Sequence, residues 1–399
     1  MKSTLRAILL LALLSCARLT YAQYQIVGTQ TSTVANDLTK TVTTVQAGAN
    51  PLDRFLVSRV SKNAPGQPHR GTLLLLPPLG SGFQNYETGD GGDYAKSFAG
   101  FFARRGFDVW GYSQRVQGLA SGQCESGAVD CSAMANWGMQ TLLNDVAFIR
   151  GQIALAHPGE KPVVGGLSLG SIASVAVIDA APQDYAGAIL IEGSLYTTNA
   201  EERAINAGFC GFFDDQLANG VYYDGQNTPG FKLLSRLADV APNAPSPVPG
   251  FEGFTNHRAW VAVMSAPPVG PTTPRPGYYF LKGSVAEDTL AYADEPLVHA
   301  NIAGFVDYVA TRTIRDVSCS LAGDRTYTSN LQSFDGPVIM FAGGHGFGPE
   351  MIETAGLLSN AQITMNYNAD YGHVDHVFST RHMQEVEHPV LAWLLQDVK

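Results

Sequence analysis

The sequence predicts an α/β protein: a mostly parallel sheet, helices on both of its faces, and a cap inserted late in the chain. Three observations lead there. Near-continuous apolar runs such as Leu73-Leu-Leu-Leu76 alternate with stretches of helical periodicity, the pattern of strands covered on both faces by crossover helices. Hydrophobic residues make up 45% of the 399, enough to offset the chain entropy of a large ordered core. The strand–helix rhythm then breaks after residue 195 and resumes at Pro337, as expected of an insertion rather than a second, independent domain.

Taken in order, the first two strands are Asp53–Val60 and Gly71–Pro77, the second broken by Pro77-Pro-Leu-Gly-Ser-Gly82. A helix over Tyr94–Arg105 stops at Gly106, and Phe107–Tyr112 forms the next strand. Helical spacing over Trp137–His157 precedes the strand Pro162–Gly165, the small-residue helix Leu169–Ile178 and the strand Ala186–Ile191. After the interruption come a strand at Pro337–Ala342, a helix over Glu350–Leu358, a strand at Ala361–Tyr367 and a last helix ending in Trp393-Leu-Leu395. The division is thus 1–22 as a signal peptide, 23–195 and 336–399 as the two parts of the core, and 196–335 as the insertion.

The amino-terminal segment carries Lys2 and Arg6, an apolar run from Ala7 to Leu14, and Thr20-Tyr-Ala22 as a small-residue cleavage site. This predicts export, secreted or periplasmic, with cleavage near Ala22. A lipoprotein box at Cys16 is the weaker alternative, since Leu14 stands two residues before the cysteine. The apolar run is too short to cross a bilayer, and no other run reaches the roughly 18 residues that spanning needs. With 25 Lys+Arg against 35 Asp+Glu, a net charge of −10 and no basic run, the chain is unsuited to gripping nucleic acid or anionic lipid. Export leaves four cysteines, an even number that favours disulfides in an oxidising compartment. The most local of the three connectivities pairs Cys124 with Cys131 and Cys210 with Cys319; four buried thiols are the alternative.

The chemistry-bearing motif is Gly166-Leu-Ser168-Leu-Gly170. Placed between a strand and a helix, it forms a tight turn that lifts a serine hydroxyl to the carboxyl edge of the sheet. A serine needs a base, and His373 follows the last strand with Gly372 freeing the loop that delivers it; His376 competes. His373-x-Asp375-His376 has no companion ligand pair, so no metal and no cofactor is expected.

These residues resemble the α/β-hydrolases, and within them the acid lipase (gastric lipase-like) branch. The resemblance rests on Leu73–Gly80, on Phe102-Ala-Arg-Arg-Gly-Phe-Asp-Val-Trp110, on the serine elbow and on Gly372-His-Val-Asp375. It implies Ser168 as nucleophile and His373 as base. The N–H of Leu169, with that of Leu79 or Gly80, would form the oxyanion hole. Pro78-Leu79 stands where the family has His-Gly, which leaves the contributing amide open. The acid departs from the common pattern, because Ala342-Gly-Gly-His-Gly-Phe-Gly-Pro349 holds no carboxylate. Glu192, at the end of the strand after the elbow helix, occupies the position used by haloalkane dehalogenases and some lipases. Glu350 and Asp375 are the alternatives.

The expected activity is hydrolysis of carboxylic esters with apolar groups, small-molecule or polymeric. Cleavage of an amide, a lactone or a C–C bond between carbonyls, and a non-catalytic binding protein, are the alternatives. The pairs Phe212-Phe213 and Tyr222-Tyr223 and the run Tyr278-Tyr-Phe280 form either the insertion's own core or the lining of a pocket above Ser168.

Overall fold

The computed structural model describes residues 24–62, 68–225, 227–267 and 277–398. The segment expected to be a signal peptide, 1–22, including Cys16, and most of the Pro267–Pro276 stretch lie outside these residues.

Nine strands form one sheet: β1 (Tyr24–Ala35), β2 (Leu38–Ala47), β3 (Arg54–Lys62), β4 (Thr72–Leu76), β5 (Asp108–Ser113), β6 (Val163–Leu167), β7 (Gly187–Ile191), β8 (Val338–Gly343) and β9 (Ile363–Asn368). Their spatial order is β1-β2-β3-β5-β4-β6-β7-β8-β9. From β5 to β9 every neighbour is parallel, while β1, β2 and β3 add an antiparallel flank. The parallel strands β4, β6, β7 and β8 are buried residue for residue, which is why they read as unbroken apolar runs rather than alternating ones.

Helices cover both faces. On one side α1 (Phe98–Arg104) and the terminal helix (His388–Gln396) bury Phe101, Phe102, Trp393 and Leu394 against Leu73, Leu75, Ile189 and Phe341. On the other, α2 (Met139–Ala156) and α3 (Leu169–Ala180) close over Leu74, Leu76, Val164 and Leu190. Every residue of α3 from Leu169 to Asp179 is buried. The small residues Gly170, Ala173, Ser174 and Ala176 allow that close approach, so its sequence shows no polar face.

Between β7 and β8 lie α4 (Ala200–Ala218), α5 (Asn227–Val240), α6 (Asn256–Met264), α7 (Glu295–Ala303) and α8 (Thr311–Ala322). Trp260, Leu297 and Val298, joined by Phe378 from the segment after β9, build a separate core in this region. Its backbone meets the loops at the carboxyl edge of the sheet: Val306 N–H donates to Gly80 O at 2.8 Å, and His373 N–H donates to Tyr279 O at 2.6 Å. The end of the stretch belongs to the main core instead, since Val317, Leu321, Leu331 and Phe334 pack with α2 and α3. The cysteine sulfurs lie at bonding distance in the expected pairs, Cys124 with Cys131 and Cys210 with Cys319. The second pair fastens α4 to α8. Among the described residues no helix is long and apolar enough to cross a membrane.

Candidate active site

Ser168 sits between β6 and α3 with φ +57° and ψ −120°, a conformation that costs a non-glycine residue on the order of 1–3 kcal/mol. The surroundings enforce it. Ser168 N–H donates to Ile191 O on the neighbouring strand at 2.9 Å, and Ser168 O accepts from Ile172 N–H at 3.0 Å. A Cβ on Gly166 would fall 2.3 Å from Leu76 O, and one on Gly170 would fall 1.9 Å from the same oxygen. Both flanking glycines are therefore required by the backbone of β4, and the half-buried serine side chain is left at the sheet edge.

His373 meets it. Its Nε2 lies 2.8 Å from Ser168 Oγ. The ring is stacked on Tyr279 (centroids 5.0 Å apart, planes 12° apart) and edged by Phe347 at 5.4 Å, so three apolar ring contacts, counting Phe280 at 6.2 Å, fix its orientation. Burial pushes the imidazole pKa down to about 3, because the charged form loses its hydration there.

On the far side of the ring, His373 Nδ1 faces Glu192 Oε2 at 3.5 Å. That is longer than an ordinary hydrogen bond, and burial rather than the carboxylate sets the pKa of the free site. Glu192 is fully buried and itself left-handed, with φ +52°. Its Oε2 accepts from Phe347 N–H at 2.8 Å and its Oε1 from Gly343 N–H. The glycine-rich loop at 342–349 thus has no carboxylate of its own because its amides wrap around one supplied by the next strand.

The other candidate acids are placed differently. Asp375 is buried, and its Oδ2 accepts from Gly372 N–H at 2.7 Å and Lys282 N–H at 3.0 Å. It ties the histidine loop to the insertion, and burial, with Glu192 and Asp370 nearby, pushes its pKa up to about 7. Glu350 is buried in the first turn of α9 (Gly348–Leu357), where its carbonyl accepts from Ser194 Oγ at 3.2 Å. His376 is buried between the rings of Phe341 and Tyr371, away from the serine contact. Leu79 is half-buried against the main core; Gly80 is left-handed at φ +70°, with its carbonyl held by Val306. A Cβ on Gly170 would lie 3.2 Å from Pro77 O, so this loop runs alongside the elbow that carries Leu169.

Some contributors carry no recognisable sequence signal. Asp370 accepts from Tyr278 Oη at 3.1 Å and also holds Lys282 and Tyr292 Oη, the latter at 2.5 Å. Three side chains from the insertion therefore clasp the loop three residues before His373. The aromatic residues of the insertion divide: Tyr279 and Phe280 reach the histidine, Tyr223 packs on Tyr308, and Phe212 is 52% exposed.

Compared by sequence, the chain matches no family model and no curated protein. By structure it resembles a provisionally named lipase from Sulfolobus solfataricus with a TM-score of 0.63 and 21% identity, over 93% of this chain and 99% of that one. It also resembles a highly thermostable carboxyl esterase from Bacillus coagulans, with a TM-score of 0.52 and 13% identity, over 94% of this chain and 99% of the other. The chain has the α/β-hydrolase fold. Within it, the serine stands at the turn after β6, and the histidine follows the last strand of the sheet.

Proposed function

We propose that this α/β-hydrolase chain is a serine hydrolase cleaving carboxylic esters that bear apolar acyl or alcohol groups. The observation that carries the reading is the continuous line from Ser168 Oγ through the His373 ring to Glu192, at 2.8 and 3.5 Å, built on a strained elbow. The fold is shared with proteins named as a lipase and a carboxyl esterase, and the motifs of Leu73–Gly80 and Phe102–Trp110 favour the acid lipase branch.

In this mechanism His373 Nε2 takes the proton of Ser168 Oγ as the oxygen attacks the acyl carbon. The N–H of Leu169, with that of Leu79 or Gly80, stabilises the tetrahedral oxyanion. The C–O bond to the alcohol breaks as His373 returns the proton to the leaving oxygen. Water then attacks the acyl-enzyme with His373 again as base, and the acid leaves. Glu192 holds Nδ1–H and stabilises the imidazolium; the 3.5 Å gap closes as charge develops, as apo catalytic contacts commonly do. Asp370 and Asp375 act as positioning residues for the histidine loop. Export fits the two disulfide pairs.

Labelling with a fluorophosphonate probe tests the reading: the wild type is expected to label, and Ser168→Ala to abolish both labelling and p-nitrophenyl ester turnover. A wild type that does not label would make the chain a binding protein. Labelling with turnover of amides or β-diketones but not esters would assign another bond. Among esters, kcat/KM is expected to peak at medium chain lengths, because Tyr279 and Phe280 crowd the histidine. A steady rise to long chains with a jump above the solubility limit would contradict this.

The buried His373 predicts an unusual pH profile. An imidazole held down at about 3 stays neutral, and so free to accept a proton, far below the ordinary value of about 6.5. The acid limb of kcat/KM is therefore expected well below pH 6.5. A limb at or above that value would show that the carboxylate dominates the free enzyme.

A further inference from the structure

At the amino edge of the parallel strands, opposite the serine, three side chains converge that take no part in the proposed reaction. His69 precedes β4, and His157 and Glu160 join α2 to β6. One donor atom from each lies within 4.8 Å of the other two. His69 Nε2 is 2.6 Å from Glu160 Oε2, and His157 Nδ1 is 3.9 Å from the same oxygen. The rings are stacked with centroids 4.2 Å apart.

The tautomer of His157 is set from behind. Its Nε2 contacts Asp108 Oδ2 at 2.7 Å, and Asp108 is buried and held by Arg59 at 2.8 Å and Trp110 Nε1 at 3.0 Å. Bonded that way, His157 donates Nε2–H to the carboxylate and turns the Nδ1 lone pair toward Glu160. A carboxylate behind a histidine, fixing which nitrogen is free, is the usual outer support of a metal ligand. Glu160 Oε1 is buried with no hydrogen-bond partner, while the His69 side chain is 40% exposed, leaving a way in and a position for water.

We infer that His69, His157 and Glu160 form a binding site for a zinc-class divalent cation that clips the start of β4 to the α2–β6 turn. Two imidazole nitrogens and a carboxylate oxygen suit borderline ions such as zinc, with water completing a tetrahedron, and do not suit magnesium or calcium. Zinc–nitrogen bonds of about 2.0–2.1 Å put neighbouring ligand atoms about 3.3 Å apart; rotation of the exposed His69 ring supplies the adjustment.

The test is titration of the untagged, chelator-treated full chain with ZnCl2, followed by calorimetry and by the thermal midpoint. One zinc per chain is expected, with a raised midpoint and binding that weakens as pH falls, since protons compete for the imidazoles. His69→Ala and Glu160→Gln, both at partly exposed side chains, are each expected to weaken binding by at least about 100-fold, more than the loss of an outer partner costs. His257→Ala is expected to leave it intact, although His257 sits between Asp288 and Glu295 at 2.9 Å each. No saturable binding by the wild type, binding that survives both site variants, or binding lost with His257 instead would each overturn the inference.

Discussion

Glu192→Gln is expected to lower kcat on p-nitrophenyl esters by on the order of 10³–10⁴, as loss of the acid does in other serine triads, while Glu350→Gln stays near wild type. Both oxygens of Glu192 accept backbone N–H groups, from Gly343 and Phe347. A glutamine must therefore turn its NH₂ toward one of those donors or toward the histidine. Either choice leaves a buried donor unmatched, worth roughly 1–3 kcal/mol, and the imidazolium loses its counter-charge. Thermal midpoints of both variants separate a folding defect from a chemical one. Activity lost in Glu350→Gln and kept in Glu192→Gln would reverse the assignment.

Gly346→Ala should come close to the same loss without replacing any proposed catalytic residue. A Cβ there would lie 1.9 Å from Glu192 Oε2 and 2.9 Å from His373 Cα. The carboxylate must withdraw or the loop must move, and displacements near 1 Å in such a site cost about 10²-fold or more. Gly356→Ala in α9 is the control, since nothing lies within 4 Å of its added methyl. Equal kcat for the two alanine variants would mean that the loop tolerates the shift and that the carboxylate's position is not critical.

The parallel core was legible because burial on both faces leaves unbroken apolar runs, as in Leu73–Leu76 and Ala188–Ile191, and those mark strands without ambiguity of face. The β1–β2 hairpin was not anticipated: Thr29–Thr33 and Thr39–Thr44 lack an apolar alternation, and β1 is largely exposed along its length. The helices of the insertion were equally hidden, since α4 is mostly solvent-facing and is held to α8 by the cysteine pair and the Asp214–Arg315 ion pair rather than by an apolar stripe. At the candidate site, the juxtaposed Ser168 and His373 are marked in the sequence by flanking glycines and chain order. Glu192 is legible as a candidate acid only through the absence of a carboxylate from the 342–349 loop. Asp370 could not be found that way, because its partners Tyr278, Lys282 and Tyr292 come from about 80 to 90 residues earlier, and nothing local distinguishes it from any loop aspartate.

The position of Glu192 also bears on how such a chain can diversify. β6 and β7 pair in register from Val163–Gly187 to Leu167–Ile191, so Ser168 and Glu192 extend from adjacent ends of one strand–helix–strand unit. Their mutual geometry is complete before the chain leaves the sheet, and nothing in residues 196–335 enters it. Had the acid come after β8, any change in the insertion's length would have had to preserve it. As built, the part of this region above the sheet edge can vary while Ser168 and Glu192 keep their relation, provided that the loops it holds, those of His373 and Gly80, are re-seated and its last helix stays in the main core. New specificity can therefore be sampled above the sheet while two of the three proposed reacting groups stay where they are.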